Sequence, residues 1–203
     1  MTLTVFGDVV CPFTYAGLVM LRAERDRRRP DLVLRLRAWP LEWINGRPLD
    51  PHHVAAEIAG LRPVVPDRFA GFDPATFPRT SLAALALVDV AYERDDALGE
   101  RVAIAVREAV FEHGIDVGDP ATLATLAAAH DLTVPDPDDT VRRVRADHEL
   151  GQSLGVVGSP HFVTEHGSWF CPILHISQTD GVFTVRIDEP VRAEFLDAVL
   201  GPA

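Results

Sequence analysis

Two short stretches carry the residue types from which a sulfur-based reaction could be built. The first, D-V-V-C-P-F-T-Y at residues 8–15, sets Cys11 between a short apolar run and a proline. Pro12 suits the first position of a helix, where its missing N–H has no intrahelical partner to lose. A strand-to-helix turn points unpaired backbone N–H groups outward and puts the positive end of the helix dipole beside the sulfur. Thiolates in that setting have pKa values of roughly 3.5–7.5, so the Cys11 pKa is expected below that of a free cysteine. The same position equally suits a small buried cysteine with no reactivity.

The second stretch, V-V-G-S-P-H-F at residues 156–162, puts Pro160 at a strand start, directly after Gly158-Ser159. Proline belongs at a strand's first residue because it cannot donate to the ladder. A cis Ser159–Pro160 bond would turn the chain sharply and leave the Ser159 backbone free to pair with an extended ligand. An ordinary trans proline in a turn is the other reading.

These stretches need elements to hold them. Residues 2–7 read as a buried strand, residues 12–29 as a helix broken by Pro30, and residues 32–39 as a second strand. In that strand Leu32, Leu34, Leu36 and Ala38 alternate onto one face, and strand–helix–strand in so short a span favours a parallel βαβ unit. The middle is helical: a short piece within 50–71, a Pro-rich link through 63–78, then helices over 80–94, 96–113, 120–130 and 136–155. Gly114 suits a helix stop, while Asp119-Pro120 and Asp136-Pro137 suit helix starts. After Gly155 the period returns to two. One strand follows Pro160, with a hairpin turn at E-H-G-S; Trp169 to Ile176 and Val182 to Ile187 read as two more strands, and a helix closes the chain. One α/β sheet interrupted by a helical insertion explains the order. The division is a body of residues 1–45 and 155–203, with an inserted helical domain over 46–154.

Composition removes several classes of function. A net charge of −11 argues against non-specific nucleic-acid binding, and no apolar run approaches the length of a membrane span. The N-terminus does not read as a signal peptide, so a cytoplasmic protein with reduced thiols is expected. The eight histidines form no ligand-like array, and His52-His53 would diverge on a helix, so no metal site is expected. Phosphate-cradling glycine loops and the serine nucleophile elbow are missing. No tightly bound cofactor is implied.

Taken together, C-P-F-T and G-V-V-G-S-P-H-F flanking a helical insertion resemble the DsbA-like family of the thioredoxin-fold superfamily. W-P-L-E-W at 39–43 is similar to that family's segment after the second strand. The resemblance covers nearly the whole chain and implies a thioredoxin-like α/β fold with a large helical insertion between the second strand and the cis-Pro strand. It implies that Cys11 is the nucleophile, that Pro160 is the cis-proline facing it, and that Pro12, Phe13, Ser159 and Pro160 contact substrate. Thr14 stands where the family carries a resolving cysteine. A dithiol enzyme releases its mixed disulfide with that second sulfur, a step Thr14 cannot perform. Its hydroxyl can instead donate a hydrogen bond to the Cys11 thiolate and hold its pKa down.

The implied activity is therefore monothiol thiol–disulfide exchange. A protein disulfide or other electrophile would be the substrate, and a glutathione- or mycothiol-like thiol the co-substrate. A monomer or a homodimer both fit. Cys171 is a candidate resolving thiol: if His166-Gly167 makes the hairpin turn, Cys171 falls opposite Phe162, two residues beyond Pro160. A small buried residue without redox function is its other reading. Two further uses of the fold stay open, a glutathione-transferase or isomerase-type enzyme and a non-catalytic binding protein. Glu42 is a candidate proton acceptor beneath the site. Trp39 and Trp43 are candidate pocket walls, and His161 reads as a half-exposed strand histidine.

Overall fold

The computed structural model describes residues 2–202. Strand β1 (Thr2–Gly7) pairs in parallel with β2 (Val33–Ala38), Leu3 opposite Leu34 and Val5 opposite Leu36, with helix α1 (Pro12–Arg28) crossing between them. The alternation in β2 is visible in its burial, since Leu34, Leu36 and Ala38 are covered while Val33, Arg35 and Arg37 are half-buried. Antiparallel strands β3 (His161–Thr164) and β4 (Gly167–Phe170) complete a four-stranded sheet in the order β2-β1-β3-β4.

Between β2 and β3 lie a short helix α2 (Leu41–Ile44), which the sequence patterns did not signal, and α3 (Pro51–Leu61), α4 (Leu82–Arg94), α5 (Asp96–His113), α6 (Pro120–Ala128) and α7 (Pro137–Ser153). Their ends follow the chemistry of their caps. Asp50, Asp95, Asp119 and Asp136 each accept a backbone N–H of the first turn, and Gly114 closes α5 in the left-handed conformation at φ 62. Helices α4 and α5 pack on one another and on β2, and α7 covers α4 and β2. One apolar core runs continuously from β1 and α1 through these helices to the final helix α8 (Glu189–Leu200).

Two expectations about the C-terminal strands are corrected. Trp169 to Ile176 is not one strand: β4 ends at Phe170, Cys171 turns into the left-handed region at φ 45, and β5 (Leu174–Thr179) starts afresh. Pro172 cannot donate to a ladder, which is the local reason for the break. Strand β5 pairs with β6 (Val182–Ile187) as a separate two-stranded sheet, and β6 packs on α3 rather than extending the main sheet. The hairpin register also differs. Thr164 faces Gly167, so Glu165 and His166 form the turn, and Phe162 pairs with Trp169. Cys171 consequently lies beside Pro160, its N–H donating to the Pro160 carbonyl at 3.0 Å.

Candidate active site

Cys11 is the residue immediately before α1, extended at φ −87 and ψ 114, with Pro12 as the first helical residue. Its side chain is only 3 % exposed, and its Sγ donates to the Ser159 carbonyl at 3.3 Å. The Ser159–Pro160 peptide is cis. Ser159 Oγ accepts the Asp8 backbone N–H at 2.9 Å and lies 2.7 Å from Thr14 Oγ1. Either hydroxyl can donate to the other, and both lie within hydrogen-bond reach of the Cys11 sulfur. Gly7 makes room for this pair, because a Cβ there would stand 2.8 Å from Thr14 Cγ2 and 3.0 Å from its hydroxyl.

The Cys11 thiol is under opposing influences. Burial pushes its pKa up; hydrogen bonds from Ser159 and from the hydroxyl and N–H of Thr14 pull it down; the Glu57 carboxylate adds a smaller upward push. Burial wins, so the resting group lies above an ordinary thiol rather than below it. The depressed pKa expected at a helix start needs a thiolate that keeps its solvation, and the buried sulfur of Cys11 does not.

Behind the thiol two charged side chains, Asp8 and Arg107, are buried. Asp8 is fully buried, and its carboxylate accepts the N–H of Leu41 at 2.6 Å and of Val10 at 3.2 Å. It thereby ties the turn before Cys11 to the start of α2. Arg107, 1 % exposed on α5, donates to the Asp8 carbonyl at 3.3 Å and the Ala103 carbonyl at 2.6 Å. Burial raises the Asp8 pKa and lowers that of Arg107 to about 10. A lone arginine among Val102, Ala103 and Val106 was the available signal, since an unpaired charge does not stay buried.

In front of the thiol a cleft of about 600 Å³ opens. One wall is Cys11, Pro12 and Phe13 with Gly158 and Ser159, and the other runs from α2 to His53 and Glu57 on α3. Exposed apolar side chains (Ile44, Val157 and Phe170) also border it. Pro160 does not reach the cleft. It is buried behind Ser159, facing α1 at Gly17.

The model of the DSBA-like thioredoxin domain matches residues 2–175. The chain belongs to that family.

Solved structures of similar overall fold include oxidoreductases and an isomerase. A probable DsbA oxidoreductase from Streptomyces coelicolor superposes with a TM-score of 0.69 at 18% identity, over 100% of this chain and 91% of that one. A cytosolic disulfide reductase, DsbM, from Pseudomonas aeruginosa gives 0.61 at 17%, over 99% and 92%. It has also been solved with GSH, in a structure giving 0.55 at 19% over 83% and 88%. A 2-hydroxychromene-2-carboxylate isomerase gives 0.60 at 14%, over 84% and 88%. No curated protein sequence matches the chain. The fold expected from the sequence is thus the fold observed.

The remaining candidates take these places in the DSBA-like domain. Cys171 is half-buried beside Pro160, and burial together with the Cys11 charge pushes its thiol up to about 12. Both cysteines are free. Glu42 accepts from Thr80 Oγ1 at 3.0 Å and Ser81 N–H at 3.2 Å, holding α2 to the start of α4 outside the cleft lining. Trp39 packs on Phe6 and His148, and Trp43 on His148, so both tryptophans serve the packing around α7 and not the cleft. His161 is buried rather than half-exposed. Its Nδ1 accepts the Val157 N–H at 3.3 Å, which leaves Nε2–H to donate to Ser168 Oγ at 2.6 Å. His53 and Glu57 are adjacent on the α3 face with Nε2 and Oε1 3.6 Å apart, a pairing the adjacent histidines at 52–53 do not signal. A single acid in the apolar run V-A-A-E-I-A was their one signal. Among the described residues no helix is long and apolar enough to cross a membrane, and no group of three or more His, Cys, Asp or Glu is placed to hold a metal.

Proposed function

We propose that this protein is a thiol–disulfide oxidoreductase that works through Cys11 alone, with a low-molecular-weight thiol of the glutathione or mycothiol kind as co-substrate. The observation that carries the reading is a cysteine at a helix start, opening on a cleft, with a hydroxyl and not a second thiol at position 14. Family membership supports the chemical class. The GSH complex of the Pseudomonas aeruginosa reductase supports a small-thiol partner.

In the first step the Cys11 thiolate attacks the sulfur of a mixed disulfide, forming a Cys11–S–S bond to the small thiol and expelling the other thiolate. In the second, a free small thiol attacks that bond, forms its own disulfide and restores Cys11. The substrate thiol is released reduced, and one free small thiol leaves joined to the small-thiol group taken from the substrate, with no second protein sulfur needed. The Thr14–Ser159 hydroxyl pair steadies the sulfur as an anion, and Ser159, Pro12 and Phe13 flank the substrate. On this reading residues 1–45 and 155–203 form the catalytic body, and the inserted helical domain, 46–154, supplies the part of the facing wall that runs from Arg47 to Glu57. The working compartment is the reducing cytoplasm.

The assay is reduction of a glutathione mixed disulfide by GSH, with wild type active and Cys11→Ser silent. Equal activity of the two proteins would reject the reading. A transferase or isomerase reading is favoured by one observation, the buried hydroxyl pair, which could hold the sulfur of a bound thiol. Glutathione conjugation that survives Cys11→Ser would establish it.

A further inference from the structure

Monothiol exchange leaves two protons to be placed: the one Cys11 must give up, and the one a departing alkyl thiolate must take up. In the resting site the Cys11 S–H is directed at the Ser159 carbonyl, which cannot remove a proton. Glu57 lines the same cleft from the opposite wall, with its side chain 16% exposed. We infer that Glu57 is the proton-transfer group of this site, receiving the Cys11 proton as the thiolate forms and returning it to the thiolate that leaves. The inference rests on the thiol–disulfide function proposed above.

The surroundings suit that role. On α3 the neighbours of Glu57 toward the core are Val54, Ile58 and Leu61, all buried and apolar. Its nearest polar neighbour on the helix is His53, at 3.6 Å, beyond hydrogen-bond reach. Burial alone brings the carboxyl up to about 7, so near neutral pH it is as ready to take a proton as to give one. Cys11 from α1, Arg47 and Asp50 from the segment before α3, and His53 on α3 itself are the other titratable groups of the cleft. Of the elements packed on α3, β6 brings only the exposed Arg186, and Tyr15 of α1 is committed to Glu112 at 2.8 Å.

The protons balance. Cys11–SH and the Glu57 carboxylate become Cys11–S⁻ and Glu57–COOH. The thiolate forms its bond to the substrate sulfur as the S–S bond breaks, and the expelled RS⁻ takes the Glu57 proton and leaves as RSH. In the second half-reaction the proton of the incoming thiol passes through Glu57 to Cys11. No external oxidant or base is required beyond the two sulfur substrates.

Single-turnover reactions of the full-length protein with two neutral disulfides test this. Dithiodipyridine expels a stabilised thione that needs no proton from the protein, whereas hydroxyethyl disulfide expels a basic alkyl thiolate that does. At pH 7, Glu57→Gln should slow the alkyl reaction by about a hundredfold. The aromatic reaction should slow far less, since it loses only the acceptor of the Cys11 proton and not a donor to its leaving group. The ratio of the two rates is the readout, because a loss of folded protein leaves it unchanged, and Glu57→Asp should restore part of it. An unchanged ratio overturns the proton-transfer role and leaves the proposed function standing. A wild-type Cys11 that reacts with neither disulfide overturns both.

Discussion

Thr14 Oγ1 and Ser159 Oγ stand 2.7 Å apart although the chain separates them by 145 residues. This contact joins the two stretches on which the site is built, since Thr14 lies one turn into α1 and Ser159 precedes the buried proline. Through Ser159 the contact reaches the Asp8 N–H, and through Thr14 it reaches the sulfur. The position that carries no second thiol is therefore occupied by a residue that holds the first one in place.

Thr14→Val should raise the Cys11 pKa further, because it removes a hydroxyl that favours the anion while keeping the shape. The expected shift is about one unit, or roughly a tenfold slower alkylation of Cys11 at pH 8, from the worth of one hydrogen bond to a charged group. The measurement is the pH profile of iodoacetamide labelling. An unchanged profile would mean the Thr14 proton is not directed at sulfur.

Gly7→Ala should disturb the same contact from the other side. The added methyl meets both Thr14 Cγ2 and its hydroxyl at 3.0 Å or less, in a region with no free volume. Overpacking of this kind costs about 1–3 kcal/mol. Urea denaturation should show that loss, and alkylation of Cys11 should slow with it.

Stability should depend on pH through Glu57. Its folded pKa is raised from 4.5 to about 7, so the folded state binds the proton more tightly than the unfolded chain. The resulting stabilisation is complete below pH 4.5 and is lost as pH rises through 7. Glu57→Gln removes the dependence, while contributions from Asp8 and other buried acids cancel in the difference. The variant should gain about 3 kcal/mol relative to wild type between pH 4.5 and pH 8, read from denaturation curves at the two values. A constant difference across that window would contradict the assigned burial.

Cys171 should not pair with Cys11 under mild oxidation. Its thiol is pushed up to about 12, so almost no thiolate is present at neutral pH to attack a Cys11 adduct. Peptide mass mapping after diamide treatment with GSH present should find Cys11 joined to glutathione and Cys171 reduced. A Cys11–Cys171 peptide would move the resolving step inside the chain.

The elements that could be read from sequence were those with local determinants. Helix starts at Asp119-Pro120 and Asp136-Pro137, the stop at Gly114 and the alternation of Leu34, Leu36 and Ala38 all depend on neighbours in the chain. The positions of Cys11 before a helix and Pro160 at a strand start were legible for the same reason, while the roles expected of them rest on the family resemblance. The hairpin register was not, because E-H-G-S allows a turn at His166-Gly167 or at Glu165-His166, and the two differ only in how the strands then pair. The direction of the Cys11 pKa depends on how completely the fold covers the sulfur, which no eight-residue stretch contains. Glu57 has no local signal of this kind, because its setting is the cleft it faces, formed by elements distant in sequence.

The detached hairpin has a mechanical consequence. Phe183 on β6 presses its backbone against Gly60, where a Cβ would lie 2.8 Å from the Phe183 oxygen, and its ring meets His53 edge-on at 5.2 Å. Gly60 and His53 belong to α3, the helix that bears Glu57. The segment beyond residue 175, outside the span of the family match, thus acts as a shim. It braces from behind the helix that forms one jaw of the cleft, and so backs the gap in front of a sulfur near the opposite end of the chain without lining it.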